Sequence, residues 1–330
     1  MKAKNRSDAA LGCLLGACVG DAAGAVLEFL EHKPSLAEVN LAMKMPGGGV
    51  WQVAPGQITD DGELTLCLAR ALSSSSHFNL EKNAQNYAQW IQSFPFDIGY
   101  TTMQSLGCFA SSPFKEICDK QGYAAGMTQA ASQQCMSSKA NGSLMRISPL
   151  GIWGHRFNDK ELAHLAQQDA RLSHPNESCA HAAACYVIAI SNLIKKPGDR
   201  KTAFKCAQCW AIFHANEEVC DWLQQAQNNI KVPYYPHEGF VKIAFMHAFR
   251  HLWLETDYEE ALRETLLGGG DTDTNACIVG GLIGAACGAD AIPDDMKQPV
   301  LRCNTQQGKH PRPRFLSTTQ IPTLAIALPF

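Results

Sequence analysis

Gly268-Gly269-Gly270-Asp271-Thr272-Asp273-Thr274-Asn275 runs straight into Ala276-Cys277-Ile278-Val279-Gly280-Gly281-Leu282-Ile283-Gly284. The second half predicts an apolar helix over 275–289, with Gly280, Gly284 and Gly288 recurring every fourth residue. Such a ridge lets a helix seat tightly against a neighbour. The first half crowds carboxylates and hydroxyls behind glycines. Carboxylates this close repel one another unless a cation relieves them. A hard divalent ion with oxygen ligands is the simplest such cation.

The N-terminal region uses the same packing device. Gly12, Gly16, Gly20 and Gly24 form an i+4 ridge within 7–31, which reads as a buried helix starting near Ser7. Lys2, Lys4 and Arg6 ahead of Leu11-Gly-Cys-Leu-Leu-Gly-Ala-Cys18 also resemble a signal peptide. Asp21 and Glu28 sit in the same run, which is too short and too acidic to span a bilayer, so no membrane association is expected. Helical patterns follow at 80–93, 159–173, 176–195, 201–230, 237–254 and 257–267, while period-2 alternation is almost absent. Residues 32–58 and 111–140 read as irregular, and 290–330 as a short helix plus an extended tail packed on the body. The expectation is one all-α domain over 1–330.

Apolar content of 46% against 18% charged residues fits a well-buried globular chain. A net charge of −3 gives no long-range field for nucleic acid, so none is expected as a partner. The 14 cysteines are spread through apolar helical patterns and read as reduced core thiols of a cytoplasmic protein. Cys206, Cys209, His214 and Cys220 are one residue off zinc-knuckle spacing, but the aromatic residues around them read as a core-facing helix.

Thr59-Asp60-Asp61-Gly62-Glu63 opens a second apolar-periodic segment, with capping-box spacing between Asp60 and Glu63. Phe96-Asp97-Ile98-Gly99 starts a further helix with Asp97 at or near its cap. Asp271-x-Asp273-x-Asn275 does not complete an EF-hand, since Ala276 holds the turn position and Leu282 the last ligand position. Nor does it follow the buried strand that an aspartyl-phosphatase nucleophile needs. The remaining option brings Thr59-Asp60-Asp61 together with Asp271, Asp273 and Thr274. These are all hard oxygen ligands, suited to Mg²⁺ or Mn²⁺, as one ion or two sharing carboxylates, and not to Zn²⁺. Two such ions can bind sugar diols and activate a water.

GCLLGACVGDAAGAVLEF (12–29), ITDDGELTLCLA (58–69), PFDIGYTT (95–102), NGSLMRISPLG (141–151), LSHPNES (172–178) and GGDTDTNACIVGGLIGA (269–285) together resemble the ADP-ribosylglycohydrolase family. The resemblance implies an all-α fold around two Mg²⁺ (or Mn²⁺) ions, and a core helix rather than a cleaved signal at 7–31. It implies metal ligation by Thr59, Asp60, Asp61, Asp271, Asp273 and Thr274, with Asp273 also in the catalytic set. Glu28 and Asp97 match acids beside the metals that act on the ribose or the attacking water. The turn Ser138, Lys139, Ala140, Asn141 and His174 match positions near the phosphates and ribose. Gly62 departs from the Thr or Ser of many relatives, at a position that is not a ligand. The implied activity is removal of ADP-ribose from modified protein, with arginine as the expected linkage and cleavage at C1″. Serine-linked or small-molecule conjugates, or a non-catalytic binding role, are the alternatives. A bacterial immunity role would add a cognate ADP-ribosyltransferase toxin as partner.

Overall fold

The computed structural model describes residues 5–328. Lys2 and Lys4 of the signal-like pattern lie outside them. The helices, in chain order, are α1 (Arg6–Gly24), α2 (Leu36–Ala42), α3 (Asp60–Ser73), α4 (Leu80–Gln92), α5 (Tyr100–Leu106) and α6 (Phe114–Gln121). Then come α7 (Tyr123–Gln134), α8 (Ser148–Trp153), α9 (Asp159–Ala170), α10 (Glu177–Lys195), α11 (Arg200–His214) and α12 (Glu217–Gln227). The last are α13 (Val241–Leu254), α14 (Tyr258–Gly268), α15 (Thr272–Cys287), α16 (Asp294–Leu301) and α17 (Ile321–Ala327). Among the described residues there is no strand, only the isolated bridges Gly48–Val53 and Ala140–Phe240. The fold is all-α and forms a single domain.

Its centre is an antiparallel pair, α1 against α15, both almost wholly buried. The two glycine ridges pack on each other. A methyl group on Gly12, Gly16 or Gly20 would lie 2.3, 2.4 or 2.0 Å from the carbonyl oxygens of Gly284, Gly280 and Ala276. Only glycine permits backbones this close. At the end of the pair, Gly24 presses on the backbone of Asp273, and Thr272 Oγ1 donates to the Gly24 carbonyl at 2.8 Å. The packing of the core therefore delivers the start of α15 to the end of α1.

Several local expectations are corrected. The α1 cap is Asn5, whose side chain accepts from the Asp8 N–H, and not Ser7. Gly288 does not extend the ridge; it ends α15 with φ +84°, against Asp8. Residues 111–140 hold two helices, α6 and α7, which small and polar residues obscured in sequence. The segment 201–230 is two helices broken at Ala215–Asn216, where Asn216 caps α12. Asp97 lies two residues ahead of Gly99, the cap of α5.

Glu63 makes no capping box. It is recruited by a buried pair instead, accepting from Trp90 Nε1 at 2.7 Å and from Arg312 Nε and Nη2 at 2.7 and 2.9 Å. That contact ties the C-terminal segment to the helix carrying Asp60 and Asp61. Past 290, the expected extended tail ends in the helix α17, which packs on α1 and α3. Among the described residues the Cys287 sulfur accepts from Arg200 Nη2 at 2.8 Å, and no disulfide pairs any of the other 13 cysteines. Helix α10 is long and apolar enough to cross a membrane, but 89% of its apolar window is buried inside the protein.

Candidate active site

Two helix starts converge where α1 ends. Thr59 precedes α3 in extended conformation, placing Asp60 and Asp61 in the first turn. Asp271 precedes α15, placing Asp273 and Thr274 in its first turn. The positive end of each helix dipole favours these anionic groups. Although more than 200 residues separate the two clusters in sequence, Thr59 Oγ1 lies 3.5 Å from Asp273 Oδ2, and Thr274 Oγ1 lies 3.5 Å from Asp61 Oδ2. One carboxylate oxygen from each of Asp21, Asp61 and Asp273 lies within 4.8 Å of the others, and the same holds for Glu28, Asp271 and Asp273.

Glu28, Asp60, Asp271, Asp273 and Thr274 face a cavity of about 960 Å³ lined also by Trp51, Asp97, Tyr100, Asn141, His174 and Glu238, while Thr59, Asp61 and Asp21 are buried behind its lining. Among the described residues no lysine or arginine lines it. Burial, and next the neighbouring carboxylates, push Asp60, Asp61 and Asp273 far above the usual carboxylate range. Burial first, then Asp97 and Asp271, raises Glu28 to about 8. Burial and Asp271 raise Asp97 to about 6.

The donor set suits a divalent cation. Asp61 Oδ1 is fully buried and has no hydrogen-bond partner. A buried carboxylate oxygen left unmatched among other acids is costly, and a hard cation satisfies it directly. Hydroxyls from Thr59 and Thr274 add neutral oxygens at the same point.

Asp21 is the residue that sequence reasoning passed over. It appeared there only as an acid interrupting an apolar run. It accepts from the Thr59 N–H at 3.0 Å, from Thr59 Oγ1 at 2.9 Å and from the Gly62 N–H at 2.8 Å. Burial raises it to about 7, against those three donors. A lone acid set among the ridge glycines, one helical turn before Gly24, was the signal available in the sequence; the structure buries it fully. Gly62 is explained by the same contact: a methyl there would lie 2.6 Å from Asp21 Oδ2. Trp51 was also missed; its Nε1–H donates to Glu28 Oε2 at 2.8 Å.

The turn at 138–141 is brought to the cavity only in part. Ala140 and Asn141 line it, and Asn141 Nδ2 donates to Asp271 Oδ2 at 2.7 Å. Ser138 bonds Thr101 at 2.9 Å, and the Lys139 ammonium is paired with Glu218 at 2.7 Å, both outside the lining. His174 lines the cavity with Nδ1 2.8 Å from Ser173 Oγ. Burial, and secondarily Arg146, lowers it to about 3, so its ring is neutral.

Fold and cavity define a class: an all-helical domain whose carboxylate site, assembled from two helix starts, fits divalent metal ions. The family model for ADP-ribosylglycohydrolases matches residues 2–321, and the chain belongs to that family, whose members hydrolyse ADP-ribose from proteins. It is 30% identical over 291 residues to the ADP-ribosyl-[dinitrogen reductase] glycohydrolase of Rhodospirillum rubrum, covering 87% of this chain and 88% of that protein. It is 25% identical to an ADP-ribosylarginine hydrolase of Pseudomonas putida, over 89% of this chain and 74% of that one. A solved structure described as an ADP-ribosylglycohydrolase-related protein complex shares the fold, with a TM-score of 0.74 over 98% of each chain at 24% identity.

Proposed function

We propose that this protein hydrolyses the N-glycosidic bond of ADP-ribosylated arginine on a protein, with two Mg²⁺ or Mn²⁺ ions. The observation that carries the arginine linkage is the wall of the cavity outside the ion ligands: Asp97 and Glu238 line it, and among the described residues no lysine or arginine does. A guanidinium leaving group complements that wall, whereas a serine hydroxyl brings no charge to it. The name of the Pseudomonas putida relative, an ADP-ribosylarginine hydrolase, points the same way.

Thr59, Asp60, Asp61, Asp271, Asp273 and Thr274 would hold the ions, which supply positive charge for the ribose hydroxyls and for lowering the pKa of a water. Asn141 keeps the Asp271 carboxylate in place through its amide. The Trp51 indole fixes the Glu28 carboxyl in the cavity lining, to hydrogen-bond the ribose. Asp97, raised to about 6, is suited to take a proton near neutral pH. Water oxygen forms the new bond to C1″ and its proton passes to Asp97. The C1″–N bond breaks with its electron pair going to the guanidine nitrogen, the proton held by Asp97 passes to the leaving guanidine, and Asp97 returns to its carboxylate. The products are ADP-ribose and unmodified arginine.

The test is incubation with arginine-ADP-ribosylated and, separately, serine-ADP-ribosylated protein in Mg²⁺ or Mn²⁺. Release of ADP-ribose from the arginine substrate is expected. Release from the serine substrate alone would overturn the linkage, and release from neither would overturn the hydrolase reading.

A further inference from the structure

A second group of metal-ligating side chains lies away from the carboxylate cavity. His247 and His251 are one turn apart on α13, and Glu264 comes from α14; one ligand atom of each lies within 4.8 Å of the others. Residues four apart share a helix face, so the two imidazoles are presented together. Both are buried, at 2% and 0% exposure.

Each ring has one nitrogen anchored by an oxygen and the other unmatched. His247 Nε2 lies 3.0 Å from the Val232 carbonyl and therefore carries the ring proton, leaving Nδ1 as a buried acceptor with no partner. His251 Nδ1 lies 3.2 Å from Thr256 Oγ1, and its Nε2 has no partner. A buried polar atom left unpaired costs about 1–3 kcal/mol, and here two occur beside one carboxylate. An oxygen partner on the far nitrogen is also what orients a metal-binding histidine.

The charges around Glu264 bear on which ion fits. Arg250 Nη1 donates to it at 2.8 Å and Lys231 Nζ lies 3.0 Å away. Arg250 is itself buried and held by Asn229 Oδ1 at 2.7 Å, so it remains as a supporting partner of the carboxylate. Lys231 has a side chain 60% exposed and can return to water at little cost.

We propose that His247, His251 and Glu264 form a zinc-type site, with the fourth position open and Lys231 displaced by the ion. Two imidazoles and one carboxylate select a borderline ion such as Zn²⁺ over Mg²⁺. The site ties down one wall of the cavity. Val232, bonded to His247, leads into the segment that carries Tyr235, Glu238 and Gly239 to the lining. Tyr234 stacks on the His247 ring at 4.4 Å, and the Tyr235 hydroxyl accepts from the Gly270 N–H at 2.9 Å, next to Asp271.

The test uses the whole protein saturated with Mg²⁺, so that the oxygen-rich cavity is filled, and titrates Co²⁺ and then Zn²⁺. One equivalent of Co²⁺ is expected to develop the visible absorption of a four-coordinate site, and Zn²⁺ to bleach it and raise the Tm. His251→Ala is expected to weaken Zn²⁺ binding by about a hundredfold or more, beyond what loss of a supporting contact causes. Lys231→Ala, which removes the competing cation, is expected to tighten it. Absence of the Co²⁺ band in the wild type overturns the proposal, as does unchanged Zn²⁺ affinity in His251→Ala. Where His251→Ala does not fold, Lys231→Ala decides: tighter Zn²⁺ binding supports the site, and unchanged or weaker binding overturns it.

Discussion

At the residue scale, the cavity depends on acids that would be unstable neighbours without a cation. Asp273 belongs to both carboxylate groupings, with Asp21 and Asp61 on one side and Glu28 and Asp271 on the other. Asp273→Asn should keep the fold, since the amide is nearly the same shape, and lower ADP-ribose release by about a hundredfold or more, a loss of several kcal/mol of charge stabilisation. Full activity in that variant would refute its role. Asp21 makes a different prediction. Its carboxylate accepts from two backbone N–H groups and a hydroxyl, whereas an amide can accept at only one of its two heads. Asp21→Asn should therefore cost about 1–3 kcal/mol of stability. It should also weaken Mn²⁺ binding about 10–100-fold through the displaced Thr59, measured by denaturation and by titration calorimetry. A variant that loses stability but binds Mn²⁺ normally would limit Asp21 to a structural part.

At the element scale, the α1–α15 contact is what sets the site. Both glycine ridges were legible, because four-residue spacing is a local property of a helix. That they pack against each other was not, since either could have met any other helix. Gly20→Ala tests the link between packing and site. Its methyl would stand 2.0 Å from the Ala276 carbonyl, and both partners are backbone in buried helices. The helices must separate, at a cost of about 1–3 kcal/mol or more. Asp273 moves with α15, so Mn²⁺ affinity should fall as well; unchanged affinity at reduced stability would uncouple the two. Helices α6 and α7 were missed for the opposite reason: their few apolar residues, such as Met127 and Ala130, make weak periodicity, and packing decided their conformation.

At the scale of the whole molecule, the acidic centre makes stability depend on pH and metal together. In the metal-free protein Asp97, Asp21 and Glu28 are raised to about 6, 7 and 8, mainly by burial, from ordinary values of 3.8 and 4.5. For acids raised on folding, the folded state binds more protons than the unfolded one. Stability is then fully present below the ordinary carboxylate range and is lost as pH rises through the folded values. The metal-free Tm should therefore fall between about pH 4 and pH 8, since that interval separates the unfolded from the folded titrations. Bound Mg²⁺ removes the repulsion and needs the same groups deprotonated. The Tm gain from adding Mg²⁺ to chelator-treated protein should be largest near pH 8 and smallest near pH 5, by scanning calorimetry. A gain independent of pH would contradict the assignment of the carboxylates to the ions.

The sequence by itself determined the helical class, the two ridges and the two acid clusters, because each follows from the spacing of neighbouring residues along one helix or one turn. The order and content of its motifs also sufficed for the family. Only the tertiary structure decided that Thr59-Asp60-Asp61 and Asp271-Thr272-Asp273-Thr274 share one point in space, that Asp21 braces them, and that Lys139 turns away to Glu218. It also took Glu63 from its helix cap and gave it to Arg312, 249 residues on. The physical reason is the same in each case. Spacing reports which face a side chain occupies, but the energy of a buried charge depends on what stands opposite, and that is supplied by another part of the chain.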